Sequence, residues 1–526
     1  MTLTRQGRGR SGFHLGRRGL RDRSLISTRT GHAGTMLFLI DTNIAIAGDP
    51  LGVELEKGAE RVIEFLRLAA RHHHDVRTHS ASLHDFARIK DDARRAARLA
   101  LFDRYEMLQA PPAISDGQSA VLGQVAPTSN DGVDQQLLAA VVGDAAEYLV
   151  SEDAGLHNRA RQLGVADRVL TAADAIALLH ALHADLPTPP PSVRRVKTHE
   201  LNLADPVFVA LKEDYPGFED WFKKAARSQR DALVIDGDQE HAAIAILKPE
   251  PEGAYGLAGP LLKVCTFKVS DHYSGQKYGE LLLKTVFRQA HVEHDAGIYM
   301  TVFEKHEQLI ELVEDFGFQS LEQRSDLGEL VYAKRHGPMP VGSMDPLSYH
   351  VRFGPPALAI QTGRVFLVPI EPRWHRVLFP DAEPDDALFP ATAGLTIQPF
   401  GNAIRKAYLC HSSSRLLRPG DVLLFYRSRD EKAVYVVGVC EDVMVSHDAE
   451  EIAAAVGRRT VYSFDDITAL ADEGPLLVIQ FRQDRVLTDP IDLEEMITAG
   501  VVQSWPQSIT RVKQEGEAWL AQRLDG

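Results

Sequence analysis

From Met36 onward, short apolar runs alternate with amphipathic stretches. Leu37–Ile40 is a four-residue apolar run, and ERVIEFLRLAAR after it repeats apolar residues at helical spacing. The pattern then predicts a short strand near Asp75–Thr78, helices across residues 82–108, the helix VDQQLLAAVV, the strand YLVS, the helix HNRARQL, a short VL strand and the helix TAADAIALLHAL. Strand and helix in turn predict a parallel sheet with crossover helices. The pattern then changes. A helix near residues 216–227 precedes the strands DALVIDGD, HAAIAILKP and LLKVCTFKV. The turn YSGQKYG leads into the helix ELLLKTVFRQAHVE, and GIYMTVF, EKHEQLIELVEDF and ELVYAK follow as strand, helix and strand. The last third is mostly strands (VFLVPI, AYLCHS, DVLLFYR, AVYVVGVCEDV, LLVIQFR) with short helices between them, a pattern that predicts a small β-barrel with helical covers.

Breaks in this pattern set the expected organisation. At about 150 residues per domain, a chain of 526 residues holds three or four. LPTPPPSVRR is a semi-rigid proline-rich stretch, and the Gly- and Pro-rich segment after the second unit marks another boundary. The expected division is a basic arm or mis-assigned start at 1–35, a first domain at 36–186, a linker at 187–196, a second domain at 197–336, a linker at 337–357 and a third domain at 358–526. Eight arginines against one acid give the first 35 residues a charge of +7, so the rest carries −22 of the net −15. A basic arm suits nucleic acid, whereas an acidic body argues against broad coating of RNA. With 44% hydrophobic and 25% charged residues, and no apolar run near the ~20 residues of a membrane span, a membrane protein is excluded. Three scattered cysteines, Cys265, Cys410 and Cys440, form neither a disulfide framework nor a zinc pattern, and no signal peptide is visible. The expected location is cytoplasmic.

Candidate chemistry begins with acids. Asp41 ends the first apolar run and Asp153 follows YLVS, while Asp134 and Asp85 lie in helical stretches. Carboxylates crowded at strand ends repel unless a cation neutralises them, and Mg2+ or Mn2+ on such oxygens activates water against a phosphodiester. Thr42 and Asn43 are placed to hold Asp41, with Asp131 and Glu152 as spare carboxylates. DTN after the first strand, NDGVDQQLLAA before a central strand and LVSED at its end resemble the PIN-domain nucleases over about 150 residues. The resemblance implies a parallel α/β/α sandwich and a metal-dependent ribonuclease. Its catalytic set would be Asp41, Asp85, Asp134 and Asp153, with Asp41, Asp134 and Asp153 on the metal. The family commonly has Glu where this chain has Asp85. Bacterial members are often toxins of toxin–antitoxin pairs, which brings in an antitoxin as a partner alongside a second copy of the chain.

In the middle unit, a strand, a glycine-containing turn and a helix N-terminus make a place for phosphate, because free N–H groups and the helix dipole favour an anion there. LLKVCTFKV, YSGQKYGELLLK, IYMTVFEKHEQLIELVEDFGF and ELVYAK resemble the GNAT acyltransferases over some 130 residues. The resemblance implies an α+β fold that binds acetyl-CoA. Its pyrophosphate would lie on Ser274, Gly275, Gln276, Lys277, Tyr278 and Gly279, with the pantetheine arm along Val264, Cys265, Phe267 and Val269. This chain departs from the family at Ser274 and Lys277, and Val313 stands where a tyrosine often serves as general acid. Glu304 and His306 follow IYMTVF as candidate bases, because attack by an amine needs mainly positioning and a proton acceptor.

In the last unit, LRPGDVLLFYRSRDEKAVYVVGVCEDV and SWPQSITRV resemble the PUA-like barrels of the ASCH and EVE types. Such barrels bind RNA or a modified base in an aromatic-walled pocket. Tyr408, Tyr426, Arg427 and Trp505 are the expected RNA contacts, with His411, Ser412 and Gln507 nearby and Arg458 and Arg459 as candidate phosphate contacts. The combined expectation is a multidomain α/β protein whose nuclease and acyltransferase act on RNA, with tRNA a natural substrate. Two alternatives stand beside it. One is an acetyltransferase of an RNA-linked or protein amine with the first domain as accessory, and the other is a non-catalytic RNA-binding regulator.

Overall fold

Three sheets follow from the three patterns. The computed structural model describes residues 35–47, 58–183, 192–237, 240–337, 339–382 and 399–525. All of the basic arm except Thr35 lies outside them, as does the linker stretch 187–191.

The first sheet contains β1 (Leu37–Ile40), β2 (Asp75–Thr78), β3 (Glu106–Met107), β4 (Tyr148–Val150) and β5 (Val169–Leu170), in the order β3-β2-β1-β4-β5. Every pairing in it is parallel. β1 is apolar at every position because both of its faces are covered: Phe38 and Ile40 enter one core, and Leu37 and Leu39 another.

The second sheet contains β6 (Val193–Lys197), β7 (Asp231–Asp236), β8 (His241–Glu250), β9 (Leu261–Val269), β10 (Gly297–Val302), β11 (Gln319–Arg324) and β12 (Leu330–Arg335). Its order is β11-β12-β10-β9-β8-β7-β6, antiparallel except for the β9–β10 pair. β6 takes the end of the stretch expected to be linker. It pairs with β7, and Arg194 and Arg195 reach Asp236 and Asp231 at 2.6 Å each. The second expected linker also holds structure, the helix Pro346–Phe353. Its Tyr349 and His350 are buried, with His350 Nδ1 3.0 Å from Asp484 Oδ1.

The third sheet contains β13 (Val365–Ile370), β14 (Arg405–Cys410), β15 (Val422–Arg427), β16 (Ala433–Ser446), β17 (Leu476–Asp492) and β18 (Thr510–Arg511). It runs β14-β17-β16-β15-β13-β18, and three register shifts bend the long β16–β17 ladder. Among the described residues β14 and β18 do not pair, so the sheet is open where a closed barrel was expected.

The sheets do not keep separate interiors. Phe38 and Tyr148 of the first share one core with Phe366, Tyr408 and Phe481 of the third, and the Tyr148 hydroxyl donates to the Ala453 carbonyl at 2.9 Å. Ile404, just before β14, packs into the core of the second sheet. A buried web of charge lies where the units meet. Arg459 reaches Asp167 at 2.5 Å, and Arg482 reaches Glu441 at 2.6 Å and the Asp315 carbonyl at 2.8 Å. Among the described residues no helix is long and apolar enough to cross a membrane.

Candidate functional sites

The acids gather where the first sheet places them. β1 and β4 are neighbours, and the Asp41 amide donates to the Val150 carbonyl at 3.0 Å, tying the two strand ends together. One Asp41 oxygen accepts the Thr42 amide at 2.6 Å, and the other accepts Asn43 Nδ2 and Ser151 Oγ, each at 2.8 Å. Ser151 Oγ in turn accepts the Asp153 amide at 3.0 Å, and the Thr42 hydroxyl lies 3.2 Å from Asp41 and 3.4 Å from Asp85. Burial raises Asp41 and Asp85 above the ordinary carboxylate range. Asp134 is pushed up to about 7, first by burial and then by Asp41, with further repulsion from Asp153 and Asp85. The four carboxylates therefore feel one another across one crevice.

The counter-charge in that crevice is supplied by arginines. Arg159 reaches Asp134 at 2.8 Å and also holds Asp131, and Arg88 pairs with Asp85. Asp153 also caps the helix Ala154–Gln162, accepting the Leu156 amide at 2.8 Å. Glu152 turns away and accepts the Ala172 amide at 2.8 Å. Among the described residues no three His, Cys, Asp or Glu side chains converge so as to hold a metal ion. The expected Mg2+ or Mn2+ set thus has the right donors and charge without the convergence. Two guanidinium groups take up charge that a cation would otherwise neutralise.

The second site opens where a strand pair fails. β9 and β10 stay in register from Leu261↔Gly297 to Val264↔Met300 and then part. At the same point β9 carries an extra residue against β8, because Ile246 pairs with Thr266 and Leu247 with Val264, which leaves Cys265 bulged. A cavity of about 860 Å³ occupies the splay, lined by every expected cofactor residue except Gln276. The turn after β9 is built for close approach. Gly275 has φ +83°, and a Cβ there would lie 2.6 Å from the Ala173 carbonyl oxygen. Lys277 sits at φ +61° as the N-cap of the helix Tyr278–Val292, a conformation that glycine adopts without steric cost.

Around the turn the charges are matched. Lys277 Nζ reaches Glu280 at 2.7 Å, and Glu280 also accepts the Ile404 amide at 3.0 Å. Burial pushes the Glu280 carboxyl up, but Lys277, Arg405 and that amide outweigh it and hold it low. Arg458, half-buried, pairs with Asp174, and Arg459, buried, with Asp167, so both are taken up by acids and not the phosphate contacts expected. Val313 is core. Glu304 is exposed and tied to Arg324 at 2.5 Å, whereas His306 lines the cavity with Nε2 3.3 Å from Asp214. Burial lowers the His306 pKa, opposed by Asp214.

Two further features escaped sequence reasoning. Arg61, His157 and Arg161 of the first unit line the same cavity as β9. Arg230, Lys248 and Lys263 line it at the start of β9, a grouping that the β7–β8 and β8–β9 pairings create.

The expected RNA contacts separate into core and surface. Tyr408 is 4% exposed, its hydroxyl donating to the Pro369 carbonyl at 3.0 Å, and Tyr426 is 1% exposed in the core of the third sheet. Both faces of the third sheet are covered at these positions, Tyr408 lying in one core and Tyr426 in another, so neither is an RNA-facing wall. Arg427 is also buried and pairs with Asp430 at 2.7 Å. His411 lies 3.4 Å from Glu473. Trp505 is 58% exposed and is the one member of the four that presents its ring to solvent.

No family model and no curated protein matches the chain. Solved structures similar to parts of it include ASCH from Zymomonas mobilis, at 12% identity and TM-score 0.23 over 30% of this chain and 94% of that one. A putative acetyltransferase of the GNAT family from Desulfovibrio desulfuricans aligns at 14% identity and TM-score 0.23, over 27% and 99%. The PaiA N-acetyltransferase from Thermoplasma acidophilum, in complex with coenzyme A, aligns at 12% identity and TM-score 0.23, over 28% and 99%.

Proposed function

We propose that the chain is an acyl-CoA-dependent N-acyltransferase whose reaction takes place in the splay between β9 and β10. The observation that carries this reading is the parting of the two parallel strands after Val264 and Met300 over a large cavity, with a turn of left-handed residues leading into a helix. The splayed half of β9 offers backbone groups and the Phe267 and Val269 side chains to an extended chain, and the turn offers amides to a pyrophosphate. When bound, acetyl-CoA would supply a thioester carbonyl for attack by an amine. His306, neutral because burial lowers its pKa, would accept a proton from the incoming ammonium. The test is release of free CoA thiol from acetyl-CoA in the presence of amines. His306→Gln should slow turnover by about 10²-fold, within the usual range for a general base, and an unchanged rate would remove His306 from that role.

The acidic crevice supports a second reading, a nuclease acting on RNA, because burial and the nearby charges of Asp41, Asp153 and Asp85 together push the Asp134 carboxyl up. Asp41, Asp134 and Asp153 are the donors that a divalent cation would meet there. The third sheet would then select RNA, with Trp505 as its exposed aromatic, and the three sheets would be three modules of one RNA-directed protein. Incubation of RNA with the protein and Mn2+ tests this. Cleavage that Asp41→Asn abolishes supports the reading, and cleavage by neither protein rejects it.

A further inference from the structure

The two ends of the cavity differ in charge. At the turn Lys277 and Arg458 have carboxylate partners, Glu280 and Asp174. At the start of β9 the balance is lost. Arg230 Nη1 lies 3.6 Å from Cys265 Sγ, and its guanidinium sits 5.7 Å from the centre of the Trp221 ring. Lys263 Nζ lies 5.5 Å over the Tyr299 ring. Among the described residues neither Arg230 nor Lys263 has a carboxylate partner. Lys248 stands directly opposite Lys263 in the β8–β9 register, an arrangement that repels unless an anion lies between them. Lys248 does have a partner, Glu250 at 2.7 Å. Lys263, Arg230 and Lys248 all pull on the Cys265 thiol, which places the three charges around the residue that bulges at the splay. Burial outweighs them there, so Cys265 stays a thiol.

We propose that this cluster binds a phosphate on the acceptor, so that the amine acylated here is carried on a phosphorylated scaffold, a nucleotide or an RNA. The inference rests on the acyltransferase reading and names its acceptor. Among the groups that act on Cys265, three cations face the single carboxylate of Glu250, an excess of positive charge that suits a phosphate, as monoester or diester. Arg230, held on the face of Trp221, presents a planar fork of donors, the geometry that oxyanions take bidentately. The cluster is also distinct from the turn. Six residues separate Lys263 from the end of β9, about 20 Å at 3.3 Å per residue, so one pyrophosphate does not reach both.

The experiment uses the full chain with 2-aminoethyl phosphate, ethanolamine, β-alanine and a short RNA ending in an aminoalkyl phosphodiester. Two readouts are taken, calorimetric binding of each amine and of acetyl-CoA, and thiol release. The phosphorylated amine should bind and react with a KM at least about ten-fold below that of ethanolamine. Lys263→Gln and Arg230→Gln should each erase that preference while leaving acetyl-CoA binding and turnover of ethanolamine within two-fold, and Arg230→Lys should restore part of it. Inorganic phosphate should compete with the phosphorylated amine in the parent protein, a result that needs no variant to fold. Activity only on the RNA-borne amine assigns the phosphate to RNA, and activity on the small amine assigns it to a nucleotide-sized substrate. Equal KM values for ethanolamine and its phosphate, or a preference for β-alanine, overturn the inference while acetyl-CoA binding leaves the acyltransferase reading standing. Binding of aminoethyl phosphate without any binding of acetyl-CoA does the reverse.

Discussion

Two pairs of parallel strands end in candidate sites, and they end differently. β1 and β4 stay paired to their last residues, Ile40↔Val150, so the crevice beyond them is built from side chains alone. β9 and β10 part before their ends, after Val264↔Met300, so there the backbone itself opens. The first arrangement concentrates like charge and leaves Asp134 partly protonated at neutral pH. The second pairs its charges around the turn and leaves cations over at the far end. A carboxylate therefore means opposite things in the two places. In the crevice it is a source of repulsion that invites a cation or a proton, and at the turn, as with Glu280, it holds modules together.

Removing each carboxylate tests that contrast most strongly. Glu280 is buried, with Lys277 and the Ile404 amide as donors, so Glu280→Ala strands both. It should lower unfolding free energy in urea by about 3–5 kcal/mol, the usual cost of breaking a buried pair. A loss under about 1 kcal/mol would show that the junction does not depend on it. Gly275→Val comes next. A β-branched residue at positive φ and a Cβ against the Ala173 carbonyl together should cost about 2–4 kcal/mol and remove the thermal shift given by acetyl-CoA.

Asp134→Asn should act in the opposite sense. The folded-state pKa of Asp134 is about 7 against an ordinary 3.8, so the folded protein holds a proton that the unfolded chain has released. Stability from this group is complete below about pH 4 and is lost as pH rises through 7. The variant should therefore match the parent at about pH 4 and exceed it at about pH 8 by on the order of 1 kcal/mol, discounted for partial solvent screening. Thermal melts across that range check the sign, and a variant less stable at about pH 8 would show that Arg159 fully compensates the cluster. The smallest effect belongs to Trp505→Ala. The ring is exposed, so stability should move by less than about 0.5 kcal/mol, while retention of RNA on a filter should fall if the third sheet reads RNA.

The same contrast explains what could be read from the sequence. Asp41 and Asp153 were legible because Asp41 directly follows β1 and Asp153 lies three residues past the end of β4, and strands buried on both faces announce themselves as unbroken apolar runs. The turn at 274–279 was legible because strand, glycine and helix follow one another along the chain. The cations at the start of β9 were not, because Arg230, Lys248 and Lys263 meet only through register and a bulge at Cys265. Tyr408 and Tyr426 misled because an aromatic in a strand carries no mark of which face it takes, and here both faces were interior. β6 looks like linker in the sequence because its apolar residues, Val193 and Val196, stand among prolines and arginines, although Arg194 and Arg195 find acids on β7. The core shared by the first and third sheets, joined at Tyr148 and Ala453, has no local signature at all.

Calorimetric titration of the full chain with acetyl-CoA tests the central claim most directly. Binding at a single site is expected, with a stabilisation of about 2.7 kcal/mol at a hundred-fold excess over Kd and loss of both in Gly275→Val. Absence of heat and of thermal shift at millimolar acetyl-CoA, or equal binding by Gly275→Val, would contradict it.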